Sequence, residues 1–541
     1  MKDLDFQNNS SVKEKPLLKF KFLYNTKILL IILFFSGLLL RIYYTPFDLP
    51  LTQDALAYFW YANDVSILGN LPEGYSVNNN TWPLFLSIFF SISNSENFLD
   101  YMTLQRSLSI LFSCFTIPIV FLICKKFFNN QLSIVGAAIF AFEPRLIINS
   151  ILGITDPMYI FLGSISIFMI LSTKREFSYL AFLFAGLATI VRVEGFFILL
   201  TISVLFFLKN EKKRKLIFKY LLCIALFILI ILPMSIIRTE VVGYDSLTSK
   251  ILTSPNVIER ESSSIGILNW ITDGMINLVK MLGWIMIPIF ILVVPTGFFL
   301  IWKDKERSAL TITTIVIIMT IPALYAYSVK AFDTRYLLFL YPIFCVLALY
   351  SITKIYSKFS RKKLFLIGLI SIILVTSIAF LEYNKQDYQH MKEAFELAFI
   401  VVEKTKIINQ YNPESGFLPI VGLEKIEKFP ILRDEFNDNE GMSFCLQLGD
   451  CKALVNIGEL SLNEFLETGK KNGLTHLIVD ESEHFQYRSK ILKDIFENEQ
   501  NYPFLIKEYD SKEKGFAYQM KIFKIDYEKF NEFYKNSLNE N

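Results

Sequence analysis

The stretch "SYLAFLFAGLATIVRVEGFFILLTISVLFFL", Ser178 to Leu208, lies between two basic clusters, Lys174-Arg175 and "KNEKKRK" from Lys209 to Lys215. Positive clusters stay on the cytoplasmic side of a membrane, so the stretch must go out and return. Its tip is "VRVEG", Val191 to Gly195, where Gly195 permits the bend. Each arm has about fourteen apolar residues. That is short of the ~20 needed for a full crossing, which places the tip below the outer surface, inside protein.

Working outward, the same logic orders the whole chain. Of 541 residues, 53% are hydrophobic and 52 are Phe, with a net charge of only +3. The mean hydropathy of +0.41 excludes a soluble protein of this length, and the small net charge gives no argument for nucleic acid. Apolar segments fall near 28–44, 107–124, 131–152, 157–171, 178–191, 195–208, 217–237, 280–302, 309–328, 337–353 and 364–381. This predicts a mostly α polytopic membrane protein with about eleven transmembrane helices. Lys125-Lys126, "KDKER" (Lys303 to Arg307) and "SKFSRKK" (Ser357 to Lys363) then share the side of the N-terminus with the first two clusters. Residues 1–27 are polar and the apolar stretch after them lacks a small-residue cleavage site, so the first span is expected to be uncleaved and the N-terminus cytoplasmic.

"TWPLFLSIFFSI", Thr81 to Ile92, is too short to span and is expected as an interfacial or re-entrant helix on the outer side. With "TPFDLPLTQDALAYFWYAN" (Thr45 to Asn63) it makes an outer loop of amphipathic helices over 54–92, within a membrane domain of 28–381. Beyond Phe380 the composition becomes mixed, and residues 382–541 are expected as a small extracytoplasmic α/β domain. Its predicted elements are a helix over Lys392–Asn409, strand, helix and strand within Ala453–Asp480, a helix near Glu483–Glu499, and strands near Phe504–Glu508 and Ala517–Ile525. Ser461 and Glu464 have capping-box spacing. Cys114, Cys124, Cys223 and Cys345 lie in spans as apolar fillers. Cys445 and Cys451 lie outside, where a disulfide is permitted. His390, His476 and His484 make no metal-ligand pattern.

The charges sort by side. Cytoplasmic clusters are mostly Lys, whereas outer, membrane-adjacent positions carry Arg41, Arg106, Arg192, Arg238 and Arg335, with Arg145 inside a span. Arg grips phosphate through a planar fork. Acids on the same side are Asp54, Glu143, Asp156, Glu194, Glu240 and Asp333. Charges near spans are costly, and a cluster of both signs on one face is a site by default. Each also has a structural reading: Asp54 as cap of a helix Ala55–Leu68, Asp156 as cap ahead of Pro157, Arg335 as an interfacial residue beside Tyr336. Arg192 and Glu194, two apart, share no helix face and are expected to pair with other elements.

The order of an acidic residue before an aromatic helix that carries Tyr58, the "TWPL" segment, "LQRSLSILFSCFTIPIVFLICKKFF" (Leu104 to Phe128), "INSILGITDPMYIFL" (Ile148 to Leu162), "AGLATIVRVEGF" (Ala185 to Phe196) and "DTRYLLFLYP" (Asp333 to Pro342) resembles the GT-C superfamily of membrane glycosyltransferases. The nearest branch is that of dolichyl-phosphate-mannose protein mannosyltransferases and aminoarabinose lipid A transferases. The resemblance covers the membrane part and not the tail.

It implies an inverting, hexosyl- or mannosyltransferase-like enzyme of the cell envelope. Such an enzyme moves a sugar from a polyprenyl-phosphate donor to an extracytoplasmic protein hydroxyl, lipid or glycan, with no tightly bound cofactor. Asp54 matches the general base and Asp156 the second acid, which orients acceptor or sugar. Arg335 matches the residue that holds the lipid phosphate; Arg192, Glu194, Tyr58, Arg106 and Arg238 would line the same cavity. Many relatives have a second acid where this chain has Ala55, which leaves acceptor type and metal dependence open. The alternative is a transporter or flippase of a lipid-linked or anionic substrate. Against it stand the lack of a repeated half and the gathering of charge at one face.

Overall fold

The computed structural model describes residues 25–72, 77, 79–93, 95, 97–172, 174, 176–209, 214–263, 266–304, 308–405, 461–471, 474–480, 490–539. The N-terminal segment up to residue 24, Cys445, Cys451, His484, the strand expected within 453–460 and the first part of the helix expected from Glu483 lie outside them. The described chain is mostly helical, with one small sheet near its C-terminal end.

Six described helices are long and apolar enough to cross a membrane, or seven if one bent pair counts as a single span. They include α1 (Thr26–Tyr44), α4 (Phe98–Cys124), α10 (Arg214–Val242), α14 (Ala309–Ser328), the 3-10 turn Thr334–Leu340 with α15 (Tyr341–Tyr356), and α16 (Lys362–Thr405). The bent pair is α5 (Asn130–Ala141) and α6 (Pro144–Ile151), which meet at 49°. Pro144 stands at the start of α6 with extended Glu143 as its N-cap, and that is why the expected 131–152 segment is two helices. The expected 280–302 segment is likewise broken: α12 (Ile267–Met286) ends where Ile287 turns extended before Pro288, and α13 (Val293–Lys303) begins anew.

Shorter apolar helices complete the bundle: α7 (Asp156–Ile170), α8 (Glu176–Val191), α9 (Gly195–Lys209) and α13. At 15 and 16 residues, α7 to α9 rise only about 22–24 Å. The hairpin α8–α9 closes at 192–194, and a Cβ on Gly195 would meet the Thr189 Cα at 2.5 Å and its nitrogen at 2.6 Å. Gly195 is therefore required by the close approach of backbone. One continuous core joins α4, α5, α7, α8, α9, α14 and α15.

A second core builds the site end. It joins α2 (Gln53–Leu68), α3 (Thr81–Ile92), the start of α4, the late part of α16 and one face of the sheet. Helix α3 has the bounds read from the sequence. The last apolar segment and the helix expected from Lys392 are one element, α16, 44 residues long. Its Glu393 carboxylate accepts the Tyr518 N–H at 2.7 Å.

The sheet has the order β1 (His476–Asp480), β3 (Met520–Ile525), β2 (Leu505–Asp510), with both pairings antiparallel. Alternation sends Met520 and Ile522 toward α2, α3 and α16, and Phe523 and Ile525 toward α17 (Leu462–Lys471), α18 (Lys490–Glu497) and α19 (Tyr527–Asn539). The capping box forms: Ser461 Oγ accepts the Glu464 N–H at 3.3 Å while Glu464 accepts the Ser461 N–H at 3.1 Å.

Candidate active site

Helix α2 starts at Gln53 with Thr52 as N-cap, so Asp54 is a first-turn residue and not the cap. There it sits favourably at the positive end of the helix dipole. The chain that delivers it is pinned by α4. Gln105 donates to Ala55 O at 2.9 Å and to Gly153 O at 2.8 Å, and Arg106 donates to Leu49 O at 2.6 Å and Pro50 O at 3.1 Å. Gly153, at φ +75°, also accepts the Trp82 indole N–H at 3.1 Å, so α2, α3 and α4 share one anchor.

Asp333 caps the 3-10 turn by accepting the Arg335 N–H at 2.8 Å. The same Asp333 accepts Arg335 Nε at 2.5 Å, and Arg335 Nη1 reaches Asp54 Oδ2 at 2.8 Å. Among the described residues the second Asp54 oxygen accepts no hydrogen bond, and the side chain is half exposed. A neighbouring cluster is centred on Arg192, which donates to Asp156 Oδ1 at 3.0 Å and to Glu194 Oε1 at 2.8 Å. The expected pairing to another element forms for Arg192, through Asp156 of α7. Arg192 and Glu194 also pair with each other, because both lie in the turn between α8 and α9, where helical spacing does not apply. Asp156 opens α7 behind Thr155 as N-cap, and is buried.

Asp54 and Arg335 stand between two cavities. One, of about 280 Å³, is lined largely by apolar side chains together with Arg106, Arg145, Asn149, Tyr388 and Met391. The other, of about 430 Å³, is polar and lined by Tyr58, Asn79, Arg192, Glu194, Lys250 and Tyr336. Asp54, Arg335, Arg192, Glu194, Tyr58 and Arg106 are thus brought together around these spaces. Asp156 reaches them only through Arg192. Arg238 is not brought to either cavity: it is fully buried between Asn80 at 2.7 Å and Asp245 at 3.3 Å, locking α10 to α3 and to α11 (Ser246–Ser263). Arg41 is buried on Ser113 and on the carbonyls of Gly37 and Ala141.

Sequence reasoning missed Lys250, Asn79 and Asn149. Lys250 carried no signal that set it apart from Lys280 and Lys330 on the same expected side. Burial pushes its ammonium below the usual lysine range, against the pull of Glu194. Among the described residues no group of three or more His, Cys, Asp and Glu is arranged to hold a metal ion. Asp54, Asp333, Asp156 and Glu194 are each engaged by a guanidinium.

No family model and no curated protein matches the chain in sequence. In structure it is similar to the Archaeoglobus fulgidus oligosaccharyltransferase in the apo form, with a TM-score of 0.48 and 13% identity over 69% of this chain and 57% of that one. It is also similar to ArnT from Cupriavidus metallidurans in the apo state, with a TM-score of 0.46 and 10% identity over 93% of this chain and 98% of that one. A further match is ArnT from Cupriavidus metallidurans bound to undecaprenyl phosphate, at 0.46 and 9%, over 76% of each chain. The chain spans little more than half the length of the archaeal enzyme. At these identities the likeness is one of chain course.

Proposed function

We propose that this chain is a membrane glycosyltransferase that takes a sugar from a polyprenyl-phosphate donor and passes it, with inversion, to a hydroxyl on the outer face. The observation that carries this reading is the Asp54–Arg335 pair standing between an apolar cavity and a polar one. A lipid-borne phosphate cannot leave the bilayer, so it needs cationic side chains beside apolar walls. A hydroxylic acceptor needs the polar space.

In this reading the acceptor hydroxyl gives its proton to Asp54 and its oxygen bonds to the anomeric carbon. The bond from that carbon to the phosphate oxygen breaks, and the electron pair departs on the lipid phosphate. Arg335, beside Asp54, stabilises the charge that builds there. Arg192, aimed by Asp156 and Glu194, orients the acceptor or the sugar. The N-terminus is placed in the cytoplasm, and the α/β domain of 382–541 outside it, above the membrane part of 28–381. The proposed sugar class is a hexose such as mannose, with a protein hydroxyl favoured as acceptor because a folded tail over the site could present a polypeptide. Purified protein incubated with a polyprenyl-phosphate hexose and extracts of envelope protein or lipid tests this by mass spectrometry. Unchanged donor would overturn it.

A further inference from the structure

The apolar cavity holds a mismatch of charge that the proposed transfer leaves unexplained. Arg335 is paired with two carboxylates, Asp54 and Asp333. Arg106 and Arg145 line the same cavity, and among the described residues neither has a carboxylate in salt-bridge range. Arg106 is 4% exposed; its Nη1 and Nη2 serve Leu49 and Pro50, and its Nε N–H finds no partner among the described residues. Arg145 donates Nε to Ile287 O at 3.0 Å, and its buried Nη2 has no partner there either. Its guanidinium is held over the rings of Trp284 at 5.0 Å and Phe380 at 5.3 Å. Asn149, one turn further along α6 and 5% exposed, lines the cavity with Nδ2 unpartnered among the described residues.

Three residues on two helices, two of them cationic, therefore line one cavity, and each holds a buried N–H donor with no partner among the described residues. Leaving a buried donor unsatisfied is costly, and such groups are retained where a ligand satisfies them. The aromatic stacking fixes the Arg145 fork before any ligand arrives, which lowers the cost of binding. The remaining walls include Ile151, Leu338 and Met391, suited to a prenyl chain.

Resting on the transferase reading above, we infer that the donor phosphate is seated by Arg145, Asn149 and Arg106, and that Arg335 is not its ground-state ligand. Arg335 holds Asp54 and acts on the phosphate only as charge builds during transfer.

Equilibrium binding of farnesyl phosphate, inorganic phosphate and farnesol to the purified full-length protein in detergent tests this. The wild type is expected to bind farnesyl phosphate more tightly than the other two probes. Asn149→Asp keeps the side-chain size and adds a negative charge, and Arg145→Gln removes a positive one; each should weaken farnesyl phosphate binding about tenfold or more. Arg335→Gln should change it less than about threefold. Should Arg145→Gln fail to fold, Arg145→Lys retains the charge over Trp284, loses the fork, and is expected to weaken binding severalfold. Loss of binding in Arg335→Gln with retention in the Arg145 and Asn149 variants would overturn the inference and leave the transferase reading intact. Inorganic phosphate binding as tightly as farnesyl phosphate would show a free-anion site and overturn the lipid assignment. A wild type that binds none of the probes would overturn both.

Discussion

Arg335 and Asp54 are 281 positions apart in the chain, and Nη1 of the first donates to Oδ2 of the second at 2.8 Å. The contact joins the first turn of α2 to the 3-10 turn ahead of α15. Each partner reaches it through anchors of its own, Gln105 on the Ala55 carbonyl and Asp333 on the Arg335 amide. Exposed pairs of this kind contribute at most about 1 kcal/mol to stability, so both residues can be changed with the fold intact.

Asp54→Asn is the clearest case. Thr52 and not Asp54 is the N-cap, and Asn is nearly isosteric, so the thermal midpoint in detergent should be nearly unchanged. Transfer should fall by roughly two to four orders of magnitude, the usual contribution of a general base. A normal rate in the purified variant would remove Asp54 from the chemistry.

Arg335→Lys keeps the charge but can no longer serve Asp54 and Asp333 through a planar fork. The expected result is a fall in kcat of about 10²–10³, with KM for the donor little changed. A rise in KM alone would instead make Arg335 a ground-state ligand.

Asp156→Ala leaves Arg192 with Glu194 alone in a site where the two partners are 11% and 3% exposed. Breaking a buried pair on one side costs about 3–5 kcal/mol. Asp156→Asn, which retains an acceptor for Arg192, should cost distinctly less. Equal thermal midpoints for the two variants would show that the carboxylate does not hold Arg192 in place.

The proposed sidedness predicts that a cysteine introduced at Glu528, in a background with Cys445 and Cys451 replaced by Ser, labels in intact cells with a membrane-impermeant maleimide. One at Lys358, in the basic cluster before α16, should require permeabilisation. The reverse pattern would invert the topology and place the site on the cytoplasmic face.

Local chemistry made much of this readable. The α8–α9 hairpin followed from two basic clusters and one glycine, α3 from the length of an apolar run, and the α17 start from Ser461 and Glu464. What escaped depended on tertiary contacts or on over-reading composition. The shift to polar residues near Glu382 suggested an element boundary, yet no Gly or Pro occurs between Gly368 and Pro413 to end the helix. Pro144 and Pro288 each break an apolar segment that by composition alone reads as one span. At the site, the separate motifs holding Asp54, Arg192 and Arg335 were legible as charges that need a reason. That Asn149 faces the same cavity as Arg145 was not, because an Asn within an apolar helix announces only that it must find a partner.

Helix α16 runs without a break from the last apolar span to the residues that pack on the sheet. A helix is a screw of fixed pitch, advancing 1.5 Å and turning about 100° with each residue. The number of residues between Leu381, packed against the bundle, and Ala394, packed beneath the sheet, therefore sets the azimuth of the C-terminal domain. Adding one residue at Tyr383 would swing that domain by about a quarter turn, whereas adding seven would nearly restore its bearing and only raise it. The spacer length is quantised, and evolution could lengthen this protein there only in near-whole turns.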